Sequence, residues 1–159
     1  MPHLGLVLRE GLIFGVLAGV FALIIRLVAL LATNSAMPNP FSSFVTTALT
    51  LLIIGGAGRK LAATTGTTTP SLQMGALAGG ITELMRNLVA AIIISYLPAG
   101  QSAIAHLSPA ARQAASDTGG VAIALGQQLG LEIVVGAMIG WFGAWALLRF
   151  QPPRKPPVK

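Results

Sequence analysis

The chain has 159 residues, 54% of them hydrophobic and only 9% charged, with a mean hydropathy of +0.80. Soluble domains carry about 25% charged residues, so this chain has too few to coat an apolar core against water. The formal charge of +6 raises nucleic acid as a partner, but no run is rich in both basic and aromatic residues, and cysteine is absent, which removes disulfides, thiolate metal sites and cysteine nucleophiles.

A membrane-crossing helix needs about 20 mostly apolar residues, because each advances about 1.5 Å through a hydrocarbon layer roughly 30 Å thick. Four segments meet that requirement, and the chain is expected to be all-α, an integral membrane four-helix bundle. The first runs from Glu10 to Leu31; it is longer than the apolar region of a signal peptide and carries Arg26, so it is expected to stay in the protein. A turn-rich connector containing Pro38 and Pro40 leads to the second, Phe41 to Leu61. A short polar connector with Gly66 and Thr69-Pro70, a good helix start, precedes the third, Ser71 to Leu97. Next comes a longer connector in which residues 108–117 read as a short helix capped by Ser108 and lying on the membrane surface. The fourth segment is Val121 to Phe150, and the basic, proline-rich tail 151–159 is expected to be non-helical and mobile. The alternating pattern of barrel strands is missing.

Short cytoplasmic loops retain Lys and Arg. With four spans, Arg9, Arg59, Lys60, Arg149, Arg154, Lys155 and Lys159 fall on one side and Arg112 alone on the other. The expected placement is therefore the cell (inner) membrane, with both termini and the second loop cytoplasmic.

The first and third spans share G-x-L-A-G-x-x-x-x-x-x-R: Gly15, Leu17, Ala18, Gly19 and Arg26 match Gly75, Leu77, Ala78, Gly79 and Arg86. The second and fourth agree more weakly, through Ile54, Gly55 and Gly58 against Ile139, Gly140 and Gly143. This pattern suggests two tandem two-helix hairpins related by a pseudo-twofold along the membrane normal. Small residues also recur every four positions at Gly11, Gly15 and Gly19, at Ser71, Gly75 and Gly79, and at Gly136, Gly140 and Ala144. Such stripes, of the glycine-zipper kind, let helix backbones approach closely.

Ionised side chains inside a span are costly, about 2.5–3.5 kcal/mol each on insertion scales, and so are expected to pair. Arg26 and Arg86 stand seven residues after Gly19 and Gly79, on the glycine faces, while Glu83 precedes Arg86 by three. Arg26 lies 17 residues past Arg9 and Glu132 lies 17 before Arg149, which puts both roughly 25 Å from the basic end and suggests an interhelical pair. The expectation is one polar layer of Arg26, Glu83, Arg86 and Glu132, serving either to fix helix register or to receive an anion, a proton or a lipid headgroup. Trp141 and Trp145 are read as interface anchors.

His3 is terminal and His106 falls in a connector, so no metal triad is expected, and no nucleophile–base pair or phosphate-binding loop stands out. In general form the chain resembles small, glycine-rich, four-span bacterial membrane proteins. That likeness rests on hydropathy and glycine stripes over the whole chain and implies no functional residues. The expected role is non-enzymatic: an accessory or structural subunit, within an energy-transducing or transport assembly or with copies of itself. The alternative is a small oligomeric transporter or channel using the Arg/Glu layer. Membrane lipids and other membrane subunits are the expected partners. The sequence names no cofactor and leaves open a bound lipid, quinone or pigment between the helices.

Overall fold

The computed structural model describes residues 3–33, 40–106 and 108–150. Its elements are α1 (Leu4–Thr33), α2 (Pro40–Thr65), α3 (Thr69–Glu83), a π-helical segment (Leu84–Val89), α4 (Ala90–Tyr96), α5 (Pro98–Ala105), α6 (Pro109–Ser116) and α7 (Thr118–Phe150), with no strand among the described residues. Four stretches are long and apolar enough to cross a membrane: Leu4–Thr33, Pro40–Thr65, Thr69–Ile93 and Thr118–Phe150. Most of the first connector (34–39) and the tail 151–159 lie outside the described residues.

Local chemistry sets the boundaries. Gly66 adopts a left-handed conformation at φ 71° and donates to the Ala62 carbonyl at 2.8 Å, closing α2. Thr64 and Thr65 hydroxyls add bonds to the Leu61 carbonyl at 2.8 and 2.9 Å, and Pro70 in the first turn of α3 needs no backbone donor. The third span differs from the single helix expected over 71–97, because it widens into π winding at Leu84 and breaks before Pro98. Pro98 cannot continue the hydrogen-bond ladder but can begin a new one, which accounts for α5, a helix the sequence reading left inside the connector.

α3 is the central helix. It packs most extensively on α7, then on α1; α2 packs on α7 and α1 and touches α3, whereas α1 and α7 stay largely apart. The order round the bundle is therefore α1, α3, α7, α2. A twofold along the bundle axis would set α1 across from α3 and α2 across from α7, but those pairs are neighbours here, and the tandem-hairpin symmetry is not shown. The matching small residues of α2 and α7 instead face one another: a Cβ on Gly58 would strike Gly140, and one on Gly143 would strike Gly55. Mutual packing alone explains why both helices carry glycine there.

The α3–α7 contact is backbone on backbone. A Cβ added to Gly75 would fall on the Gly136 carbonyl oxygen, one on Gly136 would fall on that of Gly75, and those on Gly79 and Gly140 would fall on the carbonyls of Glu132 and Ser71. Gly11 and Gly15 of α1 meet α3 differently, at Leu77 and at Ala78 with Ile81, and Gly19 meets Met85 of the π segment. The glycine stripes are thus used within one chain. Close approach of this kind lets dispersion and Cα–H···O contacts hold helices together where lipid removes the hydrophobic drive between them.

Val7, Ile54, Ala57, Leu61, Met74 and Ala78 form the apolar core towards the end that carries Lys60, and Leu30 with Leu23, Leu27 and Leu97 forms a smaller one near the other end. Large apolar side chains such as Phe21, Leu52, Ile123 and Met138 are exposed along the long helices. Among the described residues the buried polar ones are Glu10, Thr46, Ser71, Thr82 and Glu83.

Candidate functional site

Four helical segments converge on one polar layer. α1 supplies Arg26, α3 ends on Glu83, the π segment holds Arg86 and Asn87, and α7 contributes Gln128 and Glu132. Arg86 Nη2 lies 2.5 Å from Glu83 Oε2 and donates to Glu132 Oε1 at 3.1 Å, so one guanidinium engages both carboxylates. Arg26 takes a different partner from the one its depth suggests. Its Nη1 donates to the Arg86 backbone carbonyl at 2.7 Å and to Asn87 Oδ1 at 3.0 Å, while Glu132 belongs to Arg86.

Asn87 is the junction of the layer. Its Oδ1 accepts from α1, and its Nδ2 donates to Glu83 Oε1 and, at 3.2 Å, to Gln128 Oε1 of α7. The π winding makes this possible. Hydrogen bonds to the fifth residue rather than the fourth widen the turn, and within this segment the Arg86 carbonyl accepts from Arg26 of α1 through a lone pair. π segments are rare and cluster at functional sites.

Burial across the layer is uneven. Glu83 is 3% exposed, and its Oε2 has no hydrogen-bond partner, because Arg86 approaches it outside hydrogen-bond geometry. The Arg86 and Glu132 side chains keep 31% and 24% of their surface. Among the described residues α7 from Thr118 to Gln128 is exposed throughout, so on the α7 side the layer borders an exposed helical stretch.

Asn87 and Gln128 were not among the candidates from sequence. The signal was present: Asn87 follows Glu83 by four, and Gln128 precedes Glu132 by four, the spacings at which helical side chains meet. What the sequence could not show was the π turn that points Asn87 at two neighbouring helices.

A second ionic group, also not singled out beforehand, lies at the opposite end. Glu10 is buried and accepts from Arg9 Nη2 at 2.7 Å and Lys60 Nζ at 3.0 Å, tying α1 to α2, and Lys60 sits 5.5 Å from the Phe14 ring centre. At about 1.5 Å per residue, α1 separates Glu10 from Arg26 by roughly 24 Å.

Other polar contacts tie the backbone together. Ser71 Oγ donates to the Gly58 carbonyl at 2.9 Å between α3 and α2, and Thr82 Oγ1 donates to Ala78 at 2.8 Å and to Gly15 of α1 at 3.3 Å. Near the end of α7, Trp141 and Trp145 stack with ring centres 6.3 Å apart, and Trp145 also meets Phe142 at 5.7 Å and the edge of Phe150 at 6.3 Å. Among the described residues no group of three or more His, Cys, Asp or Glu could hold a metal ion. Comparison with protein-family models, with curated proteins and with solved structures gives no match to this chain.

Proposed function

We propose that this chain is a non-enzymatic, multi-pass subunit of the cell membrane, with both termini and the α2–α3 turn in the cytoplasm, that works assembled with a second copy of itself through the first half of α7. The observation that carries this reading is a small-residue pair left unused. The other glycine pairs are consumed inside the chain, whereas Gly126 and Gly130 have nothing within 4 Å. Ile123, Gln127 and Val134 are exposed on the same face by helical spacing. Gln127 has no partner among the described residues, and an amide within an apolar span gains from a partner across a helix interface. A carboxamide both donates and accepts, so it can pair with its own symmetry mate, and two copies inserted the same way present α7 to α7 in parallel about a twofold axis. Trp141 and Trp145 suit anchoring at the membrane–water interface.

Gentle extraction followed by mass measurement of the particle tests the reading. The wild type should run as a dimer, and Gln127→Leu with Gly130→Ile should run as a monomer of unchanged helicity. A wild-type monomer, or a particle whose second chain is a different protein, would overturn assembly with its own copy.

The second reading is a small oligomeric carrier or channel, and it is favoured by the partial exposure of Arg86 and Glu132 within their spans. In liposomes, flux that persists unchanged in both Arg86→Leu and Glu83→Leu would remove it.

A further inference from the structure

The charges of the polar layer are not shared evenly. Arg86 engages both Glu83 and Glu132, so Arg26 has no carboxylate within ion-pair distance, and its hydrogen bonds run through Nη1 to two neutral oxygens. Those two acceptors fix the plane of the guanidinium. Nη2 and Nε form no hydrogen bond among the described residues, and neither is sealed away in the way that Glu83 Oε2 is. An oriented guanidinium with two spare N–H groups on one edge is the geometry that takes two oxygens of an oxyanion in parallel.

An anion alone would unbalance the layer. Arg26 and Arg86 against Glu83 and Glu132 sum to zero, and a net charge in an apolar surrounding is strongly disfavoured. A proton arriving with the anion restores neutrality. Glu83 is placed to accept it: its buried Oε2 forms no hydrogen bond and meets only the Arg86 guanidinium, outside hydrogen-bond geometry, while Asn87 holds Oε1. The charged groups facing Glu83 are Arg86 from its own helical run, Arg26 from α1 and Glu132 from α7. A proton given up by hydronium or a buffer acid, whose conjugate base stays in the aqueous phase, forms one O–H bond at Glu83 Oε2 and leaves Arg86 paired with Glu132 alone.

We propose that this layer is a binding site for a singly charged oxyanion of the phosphodiester type, held by the free edge of Arg26 and taken up together with one proton on Glu83. Two sources offer that chemistry, a phospholipid headgroup and a free phosphodiester in water. The site belongs to a single chain, so the inference holds whether or not the chain dimerises and whether or not the anion moves on.

The test uses the intact protein in a phosphate-free maltoside detergent. Dimethyl phosphate and a short-chain phosphatidylglycerol are titrated in separate arms, and proton uptake is read by an indicator dye in weak buffer. About one proton should enter per anion bound, and affinity should rise about tenfold for each pH unit lowered while Glu83 is ionised in the free protein. Glu83→Gln should bind without proton uptake and with no pH dependence. Arg26→Gln should lose binding, and Arg26→Lys, which keeps the charge but not the fork, should weaken it at least tenfold while retaining the helicity of the wild type. Binding of both probes assigns the site to free and lipid phosphodiesters alike, and binding of the lipid alone assigns it to headgroups. Binding of neither probe, uptake of no proton by the wild type, or affinity unchanged in folded Arg26→Lys and Arg26→Gln would overturn the proposal.

Discussion

Alanine at Gly140 should loosen the whole α3–α7 contact. Its Cβ would fall on the Ser71 carbonyl oxygen and lie 3.1 Å from Gly75 Cα, both backbone atoms that cannot rotate away, so the helices must part by about 1 Å. If about 30 atom pairs of roughly 0.15 kcal/mol line the contact, and a gap of that size forfeits a quarter to a half of each, the loss is about 1–2 kcal/mol. Gly75→Ala meets Gly136 and Gly140 across the same contact and should cost a similar amount. Once one alanine has parted the helices the second adds less, so the double variant should fall short of the sum by at least about 0.5 kcal/mol. Gly126→Ala, in open space, serves as the control and should leave the stability of the monomer unchanged or slightly raised. Reversible unfolding in mixed micelles, followed by the emission of Trp141 and Trp145, measures all four. Equal stability of Gly140→Ala and Gly126→Ala, or strict additivity of the Gly75 and Gly140 substitutions, would refute backbone contact between these helices.

Three further outcomes follow from other contacts. Ser71→Ala removes the bond to the Gly58 carbonyl and should cost about 0.6 kcal/mol, at most about 1.7, in the same assay. Asn87→Leu takes an acceptor from Arg26 and a donor from buried Glu83; a loss of roughly 1–3 kcal/mol is expected, and a neutral result would mean that Asn87 is not the junction described. Glu10→Gln should cost less than about 1 kcal/mol, because the Arg9 and Lys60 side chains are 63% and 61% exposed, and the difference from wild type should shrink in 1 M salt.

Much of the architecture was legible because lipid imposes a simple rule: a run of about 20 apolar residues crosses as a helix. The first, second and fourth long apolar helices contain the segments drawn from hydropathy, whereas the third, Thr69–Ile93, stops short of the expected Leu97; all four begin one to six residues before the expected start. Glycine spacing identified residues that meet a neighbour, since close approach demands a missing side chain, but not which neighbour. Gly75 and Gly136 contact each other, whereas Gly15 rests on Ala78 and Ile81 of α3. The matching glycines of α2 and α7 show the limit of pattern matching, since the letters alone did not reveal that these residues face one another. The polar layer shows the same boundary. Arg86 and Glu83 were legible as a pair three apart, but Arg26 bonds to a backbone carbonyl within the π segment, and no side-chain pattern encodes a backbone acceptor. Glu10 was passed over because it reads as the edge of a span, and its burial depends on how α2 brings Lys60 alongside.

If lipid surrounds these helices, their exposed apolar flanks are closed to water-soluble reagents, and a chain without cysteine allows a clean test by single substitutions at Leu131, Met138 and Thr67. Leu131 and Met138 are exposed on the flank of α7, and Thr67 lies in the α2–α3 turn. In open membrane fragments, where both faces meet the solution, a water-soluble maleimide should label Thr67→Cys promptly and leave Leu131→Cys and Met138→Cys unlabelled until detergent is added. Labelling of all three at comparable rates would contradict the account.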